Sequence, residues 1–149
     1  MKVIMPVISE CFSARGLLPE NILLAHSYER VMPGPNYLDS IINFWRVYSG
    51  VNEHAADLCQ FFLEKIIDTK NFPLRRLSSP TASETAKIME NTFRAVNIAL
   101  IEEWGVFAEK VGLDVFEIIE AIRDRPTHVN IRQPGFGVGG YCLTKDPSF

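Results

Sequence analysis

Residues 78–112 read SSPTASETAKIMENTFRAVNIALIEEWGVFAEKVG, and this stretch decides the fold. Thr81-x-x-Glu84, just after Pro80, has the form of a capping box, in which each side chain satisfies a backbone N–H at a helix start. From there Ile88, Met89, Phe93, Val96, Leu100, Ile101, Trp104, Phe107 and Val111 recur at intervals that keep the helical period, and Gly105 is the only break before Gly112. The spacing predicts one helix of about thirty residues, where roughly 11–12 is usual. So long a helix needs neighbours over much of its surface. In a chain of 149 residues, part of that cover is expected from a second subunit or from domains outside the chain.

The pattern on either side is shorter in reach. Between Asn52 and Asp68, Ala55, Leu58, Cys59, Phe62, Leu63 and Ile66 form one apolar helical face, with Asn52 as its cap. Phe72 to Leu77 then reads as a short extended piece. Downstream, Asp114-x-x-Glu117 opens another short helix, apolar at Val115, Ile118, Ile119 and Ile122 and ended before Pro126. The rest of the C-terminal stretch reads as loop. Before Gly50 the periodicity differs: Ile22–Ser27 fits a buried strand and Arg46–Ser49 a second, joined through the turn chemistry of Val31-Met32-Pro33-Gly34-Pro35-Asn36. Residues 1–50 therefore read as sheet edge and loops.

Composition narrows the class. With 47% hydrophobic residues and a net charge of −3, the chain can bury one core, and neither nucleic acid nor an anionic membrane is favoured as a partner. No apolar run reaches the length of a membrane span and no signal sequence is evident, so a cytoplasmic protein is expected. Cys11, Cys59 and Cys142 are odd in number and widely spaced with no C-x-x-C pair, which argues for free thiols and against a disulfide framework or structural zinc, and no metal site is expected.

Gly139-Gly140-Tyr141-Cys142-Leu143-Thr144-Lys145-Asp146 carries the chemistry. A thiol is nucleophilic as thiolate, a form favoured by nearby positive charge or by oriented backbone N–H groups. Lys145 can supply the first and the glycines allow the second. Asp146, four residues beyond Cys142, can come close enough in a turn to handle a proton. Lys87 and Asn91 are four apart on the long helix, so one ligand can meet both, and such a pair can stabilise an oxyanion. Glu29 follows the first strand, at the end where α/β sheets place ligands. Each also has a bland reading: a buried cysteine beside a turn, a solvated Lys and Asn, and a surface pair of Glu29 with Arg30.

Together, three ordered blocks resemble the UDP-glucose/GDP-mannose dehydrogenase family. They are Ala25-His26-Ser27-Tyr28-Glu29-Arg30-Val31-Met32-Pro33-Gly34, then Glu84-x-x-Lys87-x-x-x-Asn91-Thr92, then Gly137-Val138-Gly139-Gly140-Tyr141-Cys142-Leu143-x-Lys145-Asp146-Pro147. Tyr28 stands where the family more often has proline. The resemblance implies a mainly α fold: a helical central dimerisation domain over 51–149, preceded over 1–50 by the tail of an NAD-binding Rossmann domain. It implies oxidation of the primary alcohol of a nucleotide sugar to a carboxylate in two hydride transfers to NAD. The aldehyde would be held on Cys142 as a thiohemiacetal, then as a thioester.

On the same basis Lys87 and Asn91 would stabilise the alkoxide and oxyanion, Asp146 would manage protons and water, and Glu29 would assist thioester hydrolysis. Phe136, Gly137 and Gly139 would wrap the substrate, Arg132 and Arg125 are candidates for its phosphates, and Lys145 would lie near the cofactor. Gly135-Phe136-Gly137-Val138-Gly139-Gly140 satisfies G-x-G-x-x-G to the letter. It follows Pro134 rather than a strand, and nine residues remain after it, so it is not read as a dinucleotide fingerprint. NAD is expected on a domain absent from this chain, and the fragment alone is expected to be inactive and to pair as a homodimer through the long helix. A β-hydroxyacid dehydrogenase-like domain, which also sets Lys and Asn on a long helix, and a non-catalytic helical dimerisation module are the competing readings.

Overall fold

The computed structural model describes residues 1–148. Phe149, the last residue of the expected central domain, lies outside them. The chain divides into two compact units, Met1–Lys87 and Ile88–Phe149.

In the first unit, α1 spans Ile4–Ser13 and closes on Gly16, whose φ of +68° and whose neighbour's bond from Leu17 N to Phe12 O make a Schellman turn. Strand β1 is Ala25–Tyr28, α2 is Tyr37–Ile42, β2 is Val47–Gly50 and α3 is Glu53–Leu63. The expectation of sheet edge and loops over 1–50 thus misses two helices. Neither has a side-chain N-cap, so the usual start signal is lacking, and α1 buries none of its residues. Ser40 secures α2: its hydroxyl donates to Tyr37 O at 2.7 Å and accepts from Met32 N at 3.0 Å.

Both expected strands form, the first displaced from Ile22–Ser27 to Ala25–Tyr28. They pair antiparallel with His26 opposite Ser49 and Tyr28 opposite Val47, while β3, Arg75–Arg76, adds parallel to β2. A Cβ on Gly50 would lie 2.3 Å from Ala56 N, so the close turn from β2 into α3 requires glycine. Asn52 caps α3 as expected, accepting from Ala55 N at 2.8 Å. The helix ends at Leu63, but Ile67 still joins Tyr48, Ala56 and Leu63 in the core beneath the sheet.

Helix α4 runs Pro80–Val111, 32 residues, in accord with the periodicity. Its cap differs from the expected one. Ser79 accepts from Ala82 N at 3.2 Å, with Pro80 in the first turn where no N–H is needed. Glu84 is drawn instead to the amino group of Met1, at 2.5 Å. At the other end Gly112, at φ +73°, and the bond from Leu113 N to Ala108 O make a second Schellman turn.

The second unit holds the rest of α4, then α5, Val115–Arg123, capped by Asp114 through Phe116 N at 2.8 Å. Ile119 of α5 is fully buried. A helical turn, α6, spans Tyr141–Lys145, in a stretch read from sequence as loop. Along α4, Ala95, Ile101 and Ala108 are buried, whereas Met89, Phe93, Val96, Leu100, Trp104, Phe107 and Val111 form an exposed apolar stripe. Among the described residues no helix is long and apolar enough to cross a membrane. The expected mainly α class, with a long helix and a small sheet, is what the chain adopts.

Candidate active site

Within the first unit, Glu29 leaves the end of β1 and Lys87 approaches from α4. Lys87 Nζ donates to the backbone oxygen of Glu29 at 2.8 Å and lies 4.0 Å from its Oε1. The same ammonium is 5.6 Å from the centre of the Tyr28 ring, within cation–π range. On that ring too lies the guanidinium of Arg30, at 5.0 Å, which donates to Tyr28 OH and to Trp45 O. The Glu29 carboxylate also accepts from Val31 N, which turns it back over its own loop. Two residues that the sequence separates by 58 positions are thus neighbours.

Behind them lies a cluster that sequence reasoning did not single out. Ser83, one turn before Lys87 on α4, is fully buried, and its hydroxyl donates to Pro80 O at 3.0 Å. It is also 2.7 Å from Ser49 Oγ and 2.7 Å from His26 Nδ1. One hydroxyl has one proton; with that proton on Pro80 O, Ser49 and the imidazole both donate to Ser83. His26 is then the Nδ1–H tautomer. Burial holds its pKa below the usual histidine value, opposed by Glu84 and reinforced by the N-terminal amine. The available signal was that Ser83 and Lys87 share a helix face, as do His26 and Tyr28 a strand face.

Within the second unit, Asn91 Nδ2 donates to Asp146 Oδ2 at 2.6 Å, and the two residues are only 2% and 8% exposed. Lys145 Nζ lies 3.3 Å from Asp146 Oδ1 and 5.3 Å from the Tyr141 ring centre. Cys142 is an exposed free thiol in α6, and Asp146 N–H donates to its backbone oxygen. The turn therefore brings Asp146 one helical step past the cysteine, with the carboxylate directed to Asn91 and Lys145. Thr144 Oγ1 closes the turn on Gly140 O at 2.7 Å.

Phe136, Gly139, Arg132 and Arg125 are all exposed, Phe136 fully so, and Gly137 is half-buried. Residues 131–140 contain no strand, so the strand–turn–helix setting of a dinucleotide fingerprint is missing around Gly135–Gly140. These residues do not fit a dinucleotide cradle. Among the described residues no group of three or more His, Cys, Asp or Glu could hold a metal ion.

Residues 81–149 belong to the UDP-glucose/GDP-mannose dehydrogenase family, as its central domain. Among similar proteins, the UDP-N-acetyl-D-mannosamine dehydrogenase of Pyrococcus horikoshii is 43% identical over 124 residues, 83% of this chain and 28% of that protein. The enzyme of the same name from Methanocaldococcus jannaschii is 40% identical over 130 residues, 87% of this chain and 29% of that protein. A solved UDP-D-ManNAc dehydrogenase from P. horikoshii superposes with a TM-score of 0.80 at 36% identity, covering 97% of this chain and 34% of that one. Native Cap5O, a UDP-N-acetyl-mannosamine dehydrogenase from Staphylococcus aureus, gives 0.72 at 32% identity, covering 95% and 33%. The chain spans less than a third of the length of these curated relatives.

Proposed function

We propose that this chain is part of an NAD-dependent nucleotide-sugar 6-dehydrogenase, oxidising a sugar primary alcohol to a carboxylate through a covalent intermediate on Cys142. The observation that carries the reading is the buried Asn91–Asp146 hydrogen bond, 2.6 Å long, which ties the cysteine turn to the helix that also bears Lys87. The names of its relatives support a UDP-N-acetylhexosamine as substrate. NAD is the hydride acceptor in this reading and is held mainly by a domain outside this chain.

Cys142 passes its thiol proton to a nearby base and adds through sulfur to the aldehyde carbon; the former carbonyl oxygen takes up a proton, giving the thiohemiacetal. Loss of a hydride from that carbon, for which bound NAD would be the acceptor, and of the proton from its hydroxyl would yield a thioester, from which water releases the acid and the thiol. Lys87 and Asn91 donate to the oxygen that gains charge at each stage. Asp146, held by Asn91 and Lys145, has a fixed carboxylate for proton transfer. Glu29 orients the hydrolytic water. Phe136, Gly137 and Gly139 wrap the substrate, and Arg132 and Arg125 meet its phosphates. Residues 1–50 are the tail of the cofactor domain and 51–149 the central domain. The 149-residue chain alone is inactive, and its enzyme works in the cytoplasm.

Stoichiometry tests this reading in the intact enzyme: two reduced nicotinamides per acid formed, and no acid from Cys142→Ala. One reduced nicotinamide per product, unaffected by Cys142→Ala, would instead support a β-hydroxyacid dehydrogenase. The exposed stripe on α4 supports a second element of the reading, a homodimer formed through that helix.

A further inference from the structure

Between Pro134 and Tyr141 four of six residues are glycine, and Gly137 and Gly140 take φ values of +77° and +82°. Such a segment has few steric restraints of its own, so its attachments must fix it. At its far end the attachment is Asp146 on Asn91. At its near end, Gly135 N–H donates to Glu102 Oε1 at 2.6 Å. Pro134 packs over Gly105, where a Cβ would stand 3.3 Å from the proline Cβ. Glu102 and Gly105 are three residues apart and share a face of α4. Glycine weakens a helix interior, and the seat for Pro134 is a physical reason for one here.

The approach to this seat is steered from α5. Arg123 donates to Ile131 O at 2.8 Å, and Gln133 Nε2 donates to Glu120 Oε1 at 2.8 Å. The chain therefore reaches Pro134 already directed toward α4.

We propose that Glu102 and Gly105 are positioning residues for Cys142, forming a seat that clamps the start of the glycine segment as Asn91 clamps its end. The proposal rests on the reading of Cys142 as nucleophile. Eleven residues separate Asn91 from Glu102, about 16 Å along a helix. Gly135 and Asp146 are also eleven positions apart; the six steps to Tyr141 could extend to roughly 20–22 Å, and the helical turn α6 adds about 7 Å. The segment therefore reaches well beyond the gap it bridges, roughly 27–29 Å against about 16 Å. Held at both ends, the surplus bulges from the helix and fixes where the thiol stands. Released at one end, Cys142 swings on a tether. The seat acts without touching substrate.

Hydrogen exchange at the Gly135 amide of the 149-residue chain reads the clamp directly. Glu102→Ala is expected to speed that exchange roughly tenfold or more, and Glu102→Gln, which keeps an acceptor oxygen, to restore most of the protection. Gly105→Ala favours the helix yet sets a methyl against Pro134, so it too should speed exchange at Gly135. The Ile101 and Asp146 amides report whether the helix and the other clamp persist. Unchanged Gly135 exchange in Glu102→Ala and Gly105→Ala overturns the proposal.

In the intact enzyme the expected effect of Glu102→Ala is a kcat lowered roughly tenfold or more with KM within about threefold. Cys142→Ala, assayed beside it, separates the two failures. Acid formation by Cys142→Ala overturns the nucleophile reading, and the clamp is then judged on exchange alone. An inactive Cys142→Ala beside an unchanged kcat in Glu102→Ala overturns the positioning role.

Discussion

At the scale of single residues, Asn91 and Asp146 show why the helix and the cysteine turn depend on each other. A buried carboxylate needs donors, and the Asn91 amide and the Lys145 ammonium are among those of Asp146. Asn91→Ala removes the buried one, and the expected loss is about 1.5–3 kcal/mol of stability, the range for hydrogen bonds to charged groups. Urea unfolding of the chain and the variant measures it. His26 makes a different prediction. Because its folded pKa lies below the usual histidine value, the folded state disfavours the proton, so its stabilising contribution is full above about pH 6.5. That contribution is lost as pH falls through the ordinary histidine value toward the lowered one. The facing groups are Ser83, Ser49, Glu84 and the N-terminal amine. Melting curves from pH 8 to pH 5 should fall for the native chain and flatten over the histidine range in His26→Gln.

At the scale of elements, the legible parts were those with repeated signals. Helix α4 was readable because its apolar positions keep one period over many turns, and α5 because Asp114 caps it beside an apolar face. The Thr81–Glu84 box was misplaced by two residues because Ser79, Thr81 and Ser83 all offer a hydroxyl near Pro80. Only contacts distinguish them: Ser79 faces the first turn, while Ser83 is taken by His26 and Ser49. Ser79→Ala should therefore cost about 1 kcal/mol, and Thr81→Ala under about 0.5, in denaturant midpoints. Helices α1 and α2 were illegible for the converse reason, since neither has a side-chain N-cap. Legibility in the candidate site followed the same rule. Lys87 and Asn91 could be paired from their spacing, but the contact of Lys87 with Glu29 and the seat at Glu102 join distant residues, which no local pattern encodes.

At the scale of the whole molecule, the apolar stripe of α4 is more than a solvated helix requires. Half-exposed aromatic and aliphatic side chains at Phe93, Val96, Leu100 and Phe107 follow one face and would leave water on burial, each contributing on the order of 1 kcal/mol to an association. Sedimentation of the intact enzyme should therefore show a dimer, and the double variant Phe93→Glu/Phe107→Glu should sediment as a monomer. The central claim remains the covalent role of Cys142, whose turn is tied to α4 through Asp146. The most direct measurement is mass spectrometry of intact enzyme carrying Glu29→Gln, quenched during turnover with nucleotide sugar and NAD, so that slowed hydrolysis lets the intermediate accumulate. The expected result is a sugar-nucleotide acyl adduct on the peptide bearing Cys142. Acid formation with no adduct there, and at an undiminished rate in Cys142→Ala, would contradict it.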